Sequence, residues 1–153
     1  MFNKKIIIIL ISLLLYQSPL LSKSTSLSGF NSKNLSNYFS GIIALENKNN
    51  SAALDFFNSS KILINQHDQY LEKLVMTLVL EDKVSQAINF IKINSSQNNS
   101  HFFEAYILLA LDNLKKNNLN KAIEILSSVP QEFQNDRYNF IIVNSLTQYA
   151  NVF

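Results

Sequence analysis

The chain has 153 residues, 47% of them hydrophobic, with two glycines, two prolines and no cysteine. That content suits a buried core and disfavours a turn-rich β protein, while the missing cysteine excludes disulfides, thiolate catalysis, zinc–cysteine sites and lipid attachment to an amino-terminal cysteine. The formal charge of +2 sits at the amino end: no acidic residue precedes Glu46, and residues 25–153 hold 10 basic against 11 acidic groups, so nothing in the charge balance suggests nucleic-acid binding.

Residues 1–24 read as a secretory signal peptide. Lys4 and Lys5 precede an apolar run from Ile6 to Tyr16 broken only by Ser12, and Pro19 lies just ahead of the small residues Ser22 and Ser24. Cleavage is expected near Ser24. The alternative is an uncleaved anchor over residues 6–21, although a spanning helix needs roughly 20 apolar residues. Residues 25–33 continue a Ser-rich stretch and are expected to form a flexible lead-in.

Three helical pairs follow. Leu35, Tyr38, Phe39, Ile42, Ile43 and Leu45 recur at three- and four-residue steps, which predicts a helix over 34–46. A turn at Lys48 to Asn50 leads to a second helix over 51–64, capped by Asn50 or Ser51 and burying Ala53, Leu54, Phe57 and either Ile62 or Leu63. The second unit repeats the plan with Tyr70, Leu71, Leu74, Val75 and Leu78. After a break at Glu81 and Asp82, with Asp82 as the expected cap, come Val84, Ala87, Ile88 and Ile91. In the third, Phe103, Tyr106, Ile107, Leu109, Ala110 and Leu114 precede a turn at Lys116 to Asn118. Ala122, Ile123, Ile125 and Leu126 then run towards Pro130. Residues 137–150 read as the first helix of a fourth unit, too apolar for a terminal cap.

The three pairs are in phase. Ala53, Ala87 and Ala122 stand 34 and 35 residues apart, each followed four residues later by Phe57, Ile91 or Leu126. Twelve residues before each alanine come Gly41, Val75 and Ala110. Such a period marks a solenoid of helical hairpins, with small residues where two helices cross closely.

This spacing resembles the tetratricopeptide repeat. Gly41, Ala53, Phe57 and Ser60 follow the family's small-small-aromatic-small pattern in the first unit, and Ala110 and Ala122 do so in the third. Val75 and Asn94 depart from it, as does the lack of a closing proline in the first two units. The resemblance covers residues 34–130 and implies an all-α, right-handed superhelical stack of antiparallel hairpins. Its repeats would span about 34–67, 68–102 and 103–136, with a partial unit at 137–150. The order of signal peptide, Ser-rich lead and repeats also resembles the amino-terminal part of longer secreted bacterial repeat proteins, which implies an exported, periplasmic protein.

Chemistry has little foothold. His67 and His101 are 34 residues apart and read as solvated turn residues carried by the period, with no carboxylate at ligand spacing to both. Glu81 and Asp82 suit a helix end. One member of each aromatic pair, Phe56–Phe57 and Phe102–Phe103, falls at core spacing. No nucleophile elbow, phosphate loop or zinc-protease motif occurs. The expectation is a non-enzyme with no cofactor and no metal.

The family's concave face, lined by the first helix of each hairpin, carries over to Leu35, Tyr38, Ile42 and Leu45 of the first unit. The second supplies Glu72, Met76, Val79 and Leu80, and the third Ile107, Leu111, Leu114 and Lys115. The apolar members imply a groove for a protein or an amphipathic helix, or self-association, rather than for a charged peptide end. The expected function is a protein–protein interaction scaffold of the bacterial cell envelope, touching the membrane only through an uncleaved amino-terminal segment. The alternative is the amino-terminal portion of a longer repeat protein whose groove is filled by its own continuation.

Overall fold

The computed structural model describes residues 31–67, 69–95 and 101–152, and every regular element among them is helical. The signal segment, and most of the lead-in, lie outside the described residues. The elements are α1 (Ser32–Glu46), α2 (Asn50–Ser59), a 3-10 turn (Lys61–Asn65), α3 (Tyr70–Leu80) and α4 (Val84–Ile93). They are followed by α5 (Phe103–Lys115), α6 (Leu119–Ser127), the single-turn α7 (Gln131–Gln134) and α8 (Arg137–Val152). α1 packs on α2, α3 on α4 and α5 on α6 as hairpins, and α2 meets α3, α4 meets α5 and α6 meets α8. Contacts therefore follow chain order.

The hairpin turns repeat in backbone geometry as well as in sequence. Lys48, Asp82 and Asn117, again 34 and 35 residues apart, adopt left-handed φ values of 60°, 58° and 58°. In each turn the next residue's amide reaches back five residues: Asn49 to Ala44, Lys83 to Leu78 and Asn118 to Asn113, at 2.8–2.9 Å. The left-handed residue itself donates three residues back, to Leu45, Val79 or Leu114. These bonds satisfy carbonyls orphaned at the helix end, in the arrangement usually built around glycine. None of the three positions is glycine here.

Several boundaries and caps differ from expectation. α1 begins at Ser32, because Asn31 Oδ1 accepts from the Lys33 amide at 3.0 Å. The last two residues of the expected lead-in are therefore helical. Asn49, not Asn50 or Ser51, caps α2 by accepting from the Ala52 amide. The predicted second helix stops at Ser59 and tightens into the 3-10 turn, where Leu63 is fully buried and Ile62 is exposed. Asp82 is no cap, since it occupies the left-handed turn position and α4 starts after Lys83 without a side-chain cap. Asp136 caps α8, accepting from the Tyr138 and Asn139 amides.

Two packed regions result. The larger joins the first two hairpins to the start of α5, and Tyr38, Phe57, Leu63, Tyr70, Leu71 and Leu74 are all essentially sealed within it. Gly41 makes this packing possible, because a Cβ there would lie 2.8 Å from the Phe57 ring. Tyr70 donates its hydroxyl to the Phe57 carbonyl, and burial pushes its phenol pKa up to about 12. Ser60, buried beside them, donates to the Phe56 and Phe57 carbonyls. The residues that depart from the repeat pattern are accommodated individually: Val75 is buried, and Asn94 satisfies its amide on the Phe90 carbonyl at 2.8 Å. The smaller region joins Ala110, Leu126, Val129 and Val143 across α5, α6 and α8.

Candidate functional site

A groove of about 590 Å³ opens between α3 and α5, with the last turn of α1 and the first turns of α8 contributing to its lining. α1 approaches α3, and α5 approaches α8; α3 and α5 make no comparable approach, which leaves the space between them. Val75, Met76, Val79 and Leu80 line one wall because they follow three- and four-residue steps on α3. Phe103, Ile107 and Leu108 line the other, and Leu45 and Ile142 join the lining from α1 and α8. Met76 and Leu80 remain 43% and 51% exposed, so the apolar wall faces solvent rather than a filled interior.

The polar groups sit among these walls. Glu72 and Lys73 pair at 3.0 Å, both side chains about one-third exposed. Glu104 is exposed and has no ion-pair partner among the described residues. Asn139 donates to the Phe133 carbonyl, which anchors the end of α8 against α7. Among the described residues, Glu72, Lys73 and Glu104 are the charged ones in the lining. The trough thus combines apolar walls with a few charged groups.

Of the nine residues expected in the groove, Leu45, Met76, Val79 and Ile107 converge on it. Tyr38 does not: it is 2% exposed, wedged among Phe57, His67 and Tyr70 with ring centroids 4.5–6.0 Å apart. Leu35 and Ile42 are half-buried against the larger core. Leu111 is exposed and Leu114 half-buried, and both lie outside the groove lining, one to two turns beyond Ile107 on α5. Of the unit-level expectations, Glu72 and Leu80 line the groove and Lys115 does not.

Sequence reasoning missed Asn139 and Ile142. A usable signal existed, since they follow Glu104 and Ile107 by 35 residues and are their repeat equivalents. It also missed Phe103, which lines the groove while Phe102 is the buried member of its pair. His101 is exposed, as expected, with Nδ1 3.0 Å from the Tyr106 hydroxyl, whereas His67 is half-buried with its ring tilted against Tyr38. Among the described residues no group of three acidic, histidine or cysteine side chains gathers as a metal site, and no helix is long and apolar enough to cross a membrane. Comparison with protein-family models, with curated proteins and with solved structures returns no match.

Proposed function

We propose that this chain is a non-catalytic interaction module of the tetratricopeptide type, a right-handed stack of hairpins that holds an amphipathic helix in the apolar groove. The observation that carries the reading is the solvent-open apolar wall of Met76, Val79, Leu80 and Ile107 between two first helices of consecutive hairpins. The threefold left-handed turn at 34- and 35-residue spacing supports the repeat assignment independently of side chains. Export, to the periplasm, rests on Lys4, Lys5 and the apolar run that follows them. A second reading makes the chain part of a longer repeat protein whose own later helices cover this surface; it is favoured by Tyr138, Phe140 and Ile141, exposed on α8.

The test replaces Met76 and Leu80 with Asp. Each carboxylate stays hydrated in the free protein but loses that hydration under a bound apolar helix. Helix content by circular dichroism is expected to hold, while capture of a partner from the exported fraction, or self-association in sedimentation velocity, falls at least about tenfold. Unfolding of the double variant identifies the wall as core and overturns the reading.

A further inference from the structure

A second depression, of about 440 Å³, lies between α4 and α5 and shares no residue with the groove. Lys92, Lys115 and Lys116 line it together with Asp112, Ser85 and Asn89. Asp112 Oδ2 accepts from Lys92 Nζ at 2.7 Å and from Lys116 Nζ at 2.8 Å, and its side chain is only 12% exposed. Lys115, Ser85 and Asn89 have no side-chain partner among the described residues. Three ammonium groups against one carboxylate leave a formal charge of +2, although residues 25–153 as a whole carry a net negative charge.

We infer that this depression is an oxyanion site that takes a phosphate group. The charge of the site matches a phosphate dianion. Each ammonium has three N–H donors and gives only one to Asp112, so donors remain on both bridged lysines. Asp112 holds Lys92 and Lys116 in place, so much of the side-chain ordering that binding requires is already done. Those same hydrogen bonds, Lys116's foremost, hold the Asp112 carboxyl below the usual carboxylate range, and the clasp persists at neutral pH. Lys115 and the hydroxyl and amide of Ser85 and Asn89 supply further donors without an acceptor of their own. Lysine serves phosphate as a compact point charge, which suits an open site better than a planar fork would.

The phosphate has two sources, a free phosphate species or a lipid headgroup. Amide chemical shifts of the full chain are followed during titration with inorganic phosphate, at constant ionic strength set with chloride. Saturating shifts at Ser85, Asn89, Lys92, Lys115 and Lys116 are expected. The Lys115→Gln/Lys116→Gln variant should bind at least about tenfold more weakly with unchanged circular dichroism, since two charge-assisted hydrogen bonds are lost. Shifts that never saturate, or that persist equally in the variant, overturn the site. Flotation with phosphatidic acid vesicles, against phosphatidylcholine vesicles, distinguishes the source because wild type and variant share the same apolar amino-terminal segment. Weaker flotation of the variant, reversed by added phosphate, assigns a headgroup; equal flotation alongside saturable phosphate binding assigns a soluble ligand.

Discussion

The two packed regions use the same repeat plan with very different results. Around Phe57 the small residues Gly41 and Ala53 admit a large ring, and Tyr38 and Tyr70 close over it. Around Leu126 the sealed side chains are aliphatic and small, and α8 buries only Val143 and Ala150 along its 16 residues. α3 packs against α1, α2 and α4 and buries six of its 11 residues, whereas α8, against α5, α6 and α7, buries two. Apolar side chains therefore become core along α3 and stay exposed along much of α8. What a repeat buries is decided by its neighbours, because a hairpin covers only the faces that another hairpin lies against.

The largest expected effect tests this contrast directly. Phe57→Ala should destabilise the protein by about 3–5 kcal/mol, and Val143→Ala by about 1–2 kcal/mol, because a sealed aromatic ring leaves a larger void than an isopropyl group. Denaturant midpoints at matched slopes measure both. Equal losses would break the comparison.

Alkaline stability sharpens it. The Tyr70 phenol holds its proton up to about 12 in the folded chain, against an ordinary value of 10.0. Its folded pKa is raised, so its contribution is intact below pH 10 and is lost as the pH climbs towards 12. The unfolding free energy should fall across that window, by up to about 1.4 kcal/mol per pH unit from this group, and the melting temperature should fall with it. Tyr70→Phe should be less stable at neutral pH by about 1 kcal/mol, from the lost bond to the Phe57 carbonyl, yet flatter above pH 10. A variant that declines as steeply as wild type would place the alkaline sensitivity elsewhere.

The smallest effects are in the turns. Lys48→Gly should stabilise by about 0.5–1 kcal/mol, because a lysine at φ 60° bears a steric penalty that glycine avoids. Asn117→Gly should gain only roughly a few tenths of a kcal/mol, since asparagine tolerates this region. Thermal melts of both variants check the order, and a loss at Lys48 would mean that its side chain, not its backbone, stabilises the first turn.

The sequence by itself determined the helices and their phase. Apolar steps of three and four placed seven of the eight α-helices among the described residues, and the spacing of Ala53, Ala87 and Ala122 carried the pairing into hairpins, because both signals are local and survive without knowledge of neighbours. The exact caps were less legible: Asn49, Asn50 and Ser51 are all competent acceptors, and only the backbone path through Lys48 selects Asn49. The left-handed turns escaped because Lys, Asp and Asn share no residue type that would announce them. Only tertiary structure decided which face of each first helix meets solvent. Tyr38 and Met76 both occupy first helices and both are expected from the sequence to line the groove, yet Tyr38 is sealed against the rings of Phe57, His67 and Tyr70, while Met76 faces the gap between α3 and α5. Burial belongs to the distance between helices far apart in the chain, and no local period encodes that distance.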